Sequence, residues 1–206
     1  MTDAFLLSDL IPRAADRHPD ATALTFTKES ISYAELASAQ RNFANGVIGL
    51  GLQRGERIAI YLEKRFETVI ASFGAPAAGC VFVPINPLLK PEQVAYIMRD
   101  CNVRMLVTSP ERYALLTESI ADCHDLRHVA LLNHDTAKAA PGTSPVISWQ
   151  ELLAMPKQRG HRVIDTDMTA ILYTSGSTGK PKGVVLSHRN MVAGGKSVAT
   201  YLENTA

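Results

Sequence analysis

Apolar residues recur at helix or strand spacing along most of the chain, beginning with its first fifty residues. The pattern there predicts an amphipathic helix over residues 5–17, an antiparallel hairpin of strands 22–27 and 29–33, and a helix reaching about residue 48. Ser32 and Glu35 have the spacing of a capping box, so we expect Ser32 to start the third of these elements. Gly49 and Gly51 supply its stop.

From residue 57 onward, short β-rich apolar runs alternate with helical segments. The predicted strands are 57–62, 79–84, 104–108 and 127–132, and the predicted helices between them are 66–78, 91–100 and 111–121. Such alternation is typical of right-handed crossover units around a parallel sheet. We therefore predict an α/β fold, a layered and mainly parallel β-sheet flanked by helices.

The last third of the chain has a different organisation. Residues 133–145 are rich in Ala, Thr, Ser, Pro and Gly and are predicted to form a surface loop. A short helix over 149–154 and a polar connector over 156–167 lead into an apolar run at 169–173. We divide the chain into an α/β subdomain of residues 1–168 and a hairpin with a following helix over residues 169–206.

Composition and charge exclude several classes of function. The 21 basic and 20 acidic residues give a net charge of +1 without a long run of either sign, so nothing favours nucleic acid or a membrane surface as a partner. Prolines interrupt the most apolar region, residues 69–89, so no transmembrane segment is predicted. Three widely spaced cysteines and the lack of a secretory signal pattern favour a cytoplasmic location.

The candidate chemistry lies in the sequence YTSGSTGKPKG at residues 173–183, between the apolar runs 170–172 and 184–186. Gly176 and Gly179 allow positive φ and close approach of backbone N–H groups to an anion. Every polar side chain of the loop is a hydrogen-bond donor, which suits a polyphosphate. The donors are Thr174, Ser175, Ser177, Thr178, Lys180 and Lys182.

Two other interpretations of this loop were weighed. An ordinary structural hairpin loop can have the same composition, because Ser, Thr and Gly are common in turns. A Walker A loop requires Ser or Thr directly after the lysine and then a helix, whereas Lys180 is followed by Pro181 and a predicted strand. The usual phosphate loop of nucleoside triphosphatases is therefore disfavoured.

Residues 173–190 resemble the signature loop of the adenylate-forming, or AMP-binding, superfamily. This superfamily includes acyl-CoA synthetases, luciferases and the adenylation domains of peptide synthetases. Residues 75–108, with AGCVFVPINP at 78–87, resemble its upstream region, so the resemblance spans nearly the whole chain. It implies part of the N-terminal domain of an acyl-CoA synthetase-like fold.

The same resemblance implies an ATP-dependent, AMP-forming acid–thiol ligase. A carboxylate attacks the α-phosphorus of ATP to give an acyl-adenylate and pyrophosphate, and a thiol, typically coenzyme A, then takes the acyl group. The implied cofactors are ATP, Mg²⁺ and coenzyme A. By motif position, the residues that bind the phosphates are Thr174, Ser175, Gly176, Ser177, Thr178, Gly179, Lys180 and Lys182.

Other parts of the family pattern are not found in the sequence. The adenine-binding segment, the acidic residue for the ribose, the Thr-Glu pair near Mg²⁺ and the C-terminal domain with its catalytic lysine do not follow residue 200. We therefore assign no catalytic residue, no metal ligand and no coenzyme A site, and we expect the chain alone to be inactive.

Two alternative functions stay open at this point. One is an adenylation domain that loads an amino or aryl acid onto a carrier protein. The other is a non-catalytic subdomain that binds nucleotide weakly or assembles through an exposed apolar face, which allows a homo-oligomer. His188, beside the predicted cap Ser187, is interpreted as a helix-terminal hydrogen-bonding residue, and Cys80 as a core residue.

Overall fold

Residues 7–49 form a helical and hairpin unit. A computed structural model of the protein describes residues 4–133, 144–175 and 180–202. Its first elements are a 3₁₀ turn at Leu7–Asp9, α1 at Leu10–Arg17, β1 at Thr22–Phe26, β2 at Glu29–Ser32 and α2 at Tyr33–Gly49. Strands β1 and β2 pair antiparallel, as the alternation of apolar and polar residues predicted.

The capping box predicted at the start of α2 is confirmed. Ser32 Oγ accepts a hydrogen bond from the Glu35 N–H at 3.2 Å, and Glu35 Oε2 accepts one from the Ser32 N–H at 2.7 Å. The backbone N–H groups of Ser32 and Glu35, at the N-terminus of the helix, thereby have hydrogen-bond acceptors. The cap fixes where the chain leaves the hairpin and enters the helix.

A seven-stranded sheet forms the centre of the molecule, in the strand order β7-β6-β5-β3-β4-β8-β9. Its pairs are parallel except for β8 with β9, which is antiparallel. The mainly parallel sheet predicted from the alternation is therefore confirmed. The strands are β3 Arg57–Tyr61, β4 Val81–Pro84, β5 Val103–Thr108, β6 His128–Leu131, β7 Val146–Ser148, β8 Met168–Thr174 and β9 Lys182–Ser187.

Helices cover both faces of this sheet: α3 Phe66–Ala77, α4 Pro91–Asp100, α5 Pro110–Leu116, α6 Trp149–Leu153 and α7 His188–Tyr201. One buried cluster joins α1, α2, α3 and α6 to the sheet and includes Phe43 and Ile58. A second joins α4 and α5 to the opposite face and includes Met98 and Leu106. No helix in the described part of the chain is long and apolar enough to cross a membrane.

Three elements differ from the sequence prediction. The opening helix begins at Leu10, after the 3₁₀ turn, rather than at residue 5. Helix α5 ends at Leu116 rather than near residue 121, and the Thr117 hydroxyl there bonds back to the Tyr113 carbonyl, competing with the backbone ladder. Strand β7 was not predicted, because three residues are too few to show a strand period. Residues 134–143 of the predicted loop lie outside the described residues.

Helices α2 and α6 approach closely at Gly46. A Cβ placed there would lie 2.2 Å from the Leu152 carbonyl oxygen and 2.7 Å from Leu152 Cδ1. The obstructing atom is backbone, so the clash cannot be relieved by a rotamer change. Only glycine permits this contact.

We therefore expect Gly46→Ala to lower the free energy of unfolding by about 1–3 kcal/mol, the usual cost of overpacking a core. Gly194→Ala is the matched control, since a Cβ at that exposed position of α7 would meet nothing within 4 Å. It should instead stabilise by about 0.5–1 kcal/mol through helix propensity. Urea unfolding followed by circular dichroism measures both, and equal effects would contradict the close-contact argument.

Candidate functional site

The polar segment after β8 lies at the carboxyl edge of the parallel sheet. Strand β8 pairs parallel with β4 through Phe82 and Ala170, so the two strands end on the same side. In open α/β sheets, ligands bind outside this edge. The sheet therefore presents the segment predicted from the motif at the place where such folds bind ligands.

The structure brings together the two ends of the predicted phosphate-binding set. Thr174 and Lys182 are register partners in the β8–β9 hairpin, and directly paired residues share one face of a sheet. Both are exposed, as are Ser175 and Lys180. Gly176, Ser177, Thr178 and Gly179 lie outside the described residues.

Cationic and hydroxyl groups make up the described part of this set. Over residues 4–133, 144–175 and 180–202, neither Lys180 nor Lys182 takes part in an ion pair. The set contains no carboxylate, which fits the oxygens of a polyphosphate and not a metal ion. No cluster of three or more His, Cys, Asp or Glu that could hold a metal occurs in the described parts of the chain.

Helix α4 contacts both ends of the candidate segment, which the sequence did not indicate. Tyr173 Oη donates to Asp100 Oδ2 at 2.6 Å, and Tyr96 Oη lies 3.4 Å from the Pro181 carbonyl oxygen. Tyr173 precedes Thr174, and Pro181 precedes Lys182. The partners are 73 and 85 residues apart, so no local pattern could have revealed them.

Gly183 allows the hairpin to pack tightly beneath Tyr173. A Cβ at this position would lie 2.7 Å from Ile171 Cγ2 and 3.2 Å from Tyr173 Cζ. Because Ile171 is buried and β-branched, it has little freedom to move away. Gly183, the last glycine of the motif, therefore allows the two strands at the stem of the hairpin to pack closely.

His188 is a structural residue, in line with its interpretation from the sequence. Ser187 and Asn190 form a capping box at the start of α7, and the adjacent His188 is 1% exposed. Its Nδ1 accepts a hydrogen bond from the Leu7 N–H at 3.0 Å. Burial lowers the pKa of His188, against the opposing effect of nearby carboxylates such as Asp167. The neutral ring thus links the N-terminal segment to α7.

The three cysteines are all free and buried. Burial raises the pKa of the Cys80 thiol to about 12 and that of Cys101 to about 11, and it also raises the pKa of Cys123. Thiols are nucleophilic as thiolates, which these sites disfavour. The interpretation of Cys80 as a small core residue is confirmed, since its exposure is 0%.

Comparison with known families shows to which family the chain belongs. The family model for AMP-binding enzymes matches residues 11–205. The chain belongs to this family. The resemblance to the AMP-binding superfamily is therefore confirmed.

Curated members of the AMP-binding family resemble the chain over most of its length. A crotonobetaine/carnitine–CoA ligase from Salmonella heidelberg is 34% identical over 181 residues, covering 84% of this chain and 34% of the relative. An N-(5-amino-5-carboxypentanoyl)-L-cysteinyl-D-valine synthase from Streptomyces clavuligerus is 32% identical over 189 residues, covering 90% of this chain and 22% of the relative. The chain thus spans about a third or less of these relatives.

Solved structures of similar fold include several chains of more than 25% identity. The apo structure of Mycobacterium smegmatis MbtA superimposes with a TM-score of 0.86 at 27% identity, covering 98% of this chain and 37% of that one. The anthranilate CoA ligase AuaEII, solved in complex with anthranoyl-AMP, superimposes with a TM-score of 0.78 at 26% identity. The match covers 89% of this chain and 35% of that one. The expected fold, part of the N-terminal domain of an acyl-CoA synthetase-like protein, is confirmed.

The buried His188 makes stability depend on pH. Because its native pKa lies below the unfolded value of about 6.5, the unfolded chain binds the proton more readily. Its contribution is fully present above pH 6.5 and is lost as the pH falls from there through the lower native pKa.

We expect the stability difference between the wild type and His188→Gln to shrink as the pH is lowered from 7.5 to 5, measured from urea midpoints. Glutamine can still accept from the Leu7 N–H but does not titrate. His128 also has a pKa that is lowered by burial, but its titration contributes equally to both proteins and cancels in the difference. A difference that stays constant with pH would contradict the assignment.

Proposed function

We propose that this chain contributes the ATP-phosphate-binding part of an AMP-forming acid–thiol ligase of the acyl-CoA synthetase type. The ligase would convert a carboxylate to an acyl-adenylate and then to a thioester. The observation that carries the proposal is the pairing of Thr174 with Lys182 at the carboxyl edge of the sheet, in a chain of the AMP-binding family.

The residues of the hairpin suit the charge changes of the first step. When a carboxylate attacks the α-phosphorus, the bond to the β-phosphate breaks and negative charge develops on the leaving pyrophosphate. Preorganised donors lower the barrier by stabilising that charge. In this proposal the hydroxyls of Thr174 and Ser175 and the ammonium groups of Lys180 and Lys182 bind phosphate oxygens, and residues 176–179 add donors.

Mg²⁺ and coenzyme A belong to the proposal through the family. A bound Mg²⁺ neutralises charge on the phosphates. The described donor set fits the phosphates and not the ion, so we assign no ligand for it in this chain. Coenzyme A would accept the acyl group, and we place no contact for it among these residues.

The proposal names the carboxylic acid substrate only as a class. The similar proteins carry names that refer to different acids, among them crotonobetaine or carnitine and anthranilate. The proposal includes fatty, aryl and amino acids as substrates. We also propose a cytoplasmic location. The similarity to the N-(5-amino-5-carboxypentanoyl)-L-cysteinyl-D-valine synthase favours a second candidate, an adenylation domain that loads an amino or aryl acid onto a carrier protein.

The non-catalytic alternative also has a structural observation in its favour. Edge strand β9 exposes Val184 and Val185 by 45% and 52%, and Val198 and Tyr201 of α7 and the following Leu202 are also exposed. Exposed apolar residues can mediate association with a second copy or with another part of a larger enzyme. Light scattering at several concentrations separates self-association from a monomer.

The proposed function is tested by carboxylate-dependent ATP–pyrophosphate exchange with Mg²⁺. The assay compares the 206-residue chain with the longest polypeptide that its gene encodes around it, using fatty, aryl and amino acids. We expect exchange in the longer polypeptide. Lys182→Ala should lower kcat/KM for ATP about 10- to 100-fold, the effect of losing one charged hydrogen bond.

Lys157→Ala is the matched control, since this exposed lysine lies in the connector after α6. It should leave kcat/KM for ATP unchanged. Equal losses in the two lysine variants would refute the assigned role of Lys182. Absence of exchange with every acid in both polypeptides would refute the ligase and leave the non-catalytic alternative.

A further inference from the structure

We propose that Asp100 and Tyr96 of helix α4 are positioning residues for the phosphate-binding segment. Each contacts a residue that directly precedes a candidate phosphate ligand, one at the end of β8 and the other at the start of β9. The inference rests on the proposed function, because it concerns the geometry of the same segment.

The contact at the β8 end is the shorter of the two. Tyr173 Oη donates to Asp100 Oδ2 at 2.6 Å, a distance typical of a hydrogen bond to a carboxylate. Burial raises the pKa of Tyr173, so the phenol stays protonated and remains a donor at neutral pH. The ring also packs over Gly183 of the neighbouring strand. Tyr173 is thus held from two sides, next to Thr174.

The contact at the β9 end involves the backbone. Tyr96 Oη lies 3.4 Å from the Pro181 carbonyl oxygen, one residue before Lys182. Proline has a fixed φ, so restraining its carbonyl limits the direction in which the chain enters β9. This hydrogen bond is longer than the one to Asp100. We therefore expect the smaller effect from its removal.

Helix α4 is suited to hold both ends at once. Tyr96 and Asp100 are four residues apart, so they lie on one face of the helix. The apolar residues of the same helix are buried in the core, with exposures of 0% for Val94 and 1% for Ile97 and Met98. A helix fixed in this way transmits little motion to the hairpin. Thr174 and Lys182 pair with each other across the hairpin, and the helix restrains the position of this pair relative to the sheet.

Amide hydrogen exchange of peptides covering residues 173–183 tests the restraint directly. Asp100→Ala should speed exchange there about threefold to tenfold, and Tyr96→Phe should do so to a smaller extent. Asp100→Asn keeps an oxygen acceptor and should restore most of the protection. Tyr61→Phe is the matched control, because its Oη donates to the Leu89 carbonyl at 3.0 Å, outside the hairpin.

Kinetics in the longer polypeptide give a readout that general destabilisation does not move. Asp100→Ala should raise KM for ATP about threefold to tenfold and leave KM for the carboxylate unchanged. Tyr173→Phe combined with Asp100→Ala should be no worse than either alone, since both remove the same hydrogen bond.

The outcomes separate this inference from the proposed function. Faster exchange of the hairpin in Asp100→Ala, in a protein without ligase activity, would support the restraint and sink the ligase. An active enzyme in which Asp100→Ala matches Tyr61→Phe in hairpin exchange and in KM for ATP would overturn the positioning role. Additive effects of Tyr173→Phe and Asp100→Ala would overturn it too.

Discussion

The candidate site depends on how β8 is inserted beside β4. This pairing joins the hairpin to the parallel sheet across a long stretch of sequence, with Phe82 opposite Ala170. Ala170 is buried in the cluster under α2 and α3, whereas Ile171 is buried in the cluster under α4. A slip of one residue would exchange these two faces, so burial on both sides specifies the register strongly. The ends of β8 and β9 therefore occupy a defined place at the carboxyl edge.

Most of the fold could be predicted because its signals are local. Ser32 with Glu35 marked the start of α2, and the predicted bounds of α4, residues 91–100, match the structure. The order of strands and helices followed from the apolar period. The end of α5 was misplaced because a hydroxyl at Thr117 bonds to the helix backbone, and such competition is hard to recognise from a period.

The site was only partly accessible from the sequence, for a physical reason. The donor residues of the loop lie close together in the sequence, so composition and the resemblance pointed to Thr174, Ser175, Lys180 and Lys182. The residues that hold the ends of the loop come from another element, and the pairing of Tyr173 with Asp100 exists only after the chain has folded. Tyr96 and Asp100 have helical spacing, yet an exposed acid on a helix carries no sign of its partner.

Ion pairs occupy arginines at both edges of the sheet. At the amino edge, Arg104 pairs with Glu56 and Asp125, and Arg127 also reaches Glu56. At the carboxyl edge, the arginines Arg65 and Arg112 pair with Glu67 and Glu63. Such pairs contribute little to stability when exposed, yet they occupy the cations they contain.

Lys180 and Lys182 form no ion pair with any described residue, so their charge remains available to a ligand. A lysine ammonium is a compact charge on a flexible stem, which can follow a phosphate group as it moves away. In the proposed function, a restrained stem and flexible cations are compatible requirements: α4 would hold the backbone, and the lysine side chains would adjust to the leaving pyrophosphate.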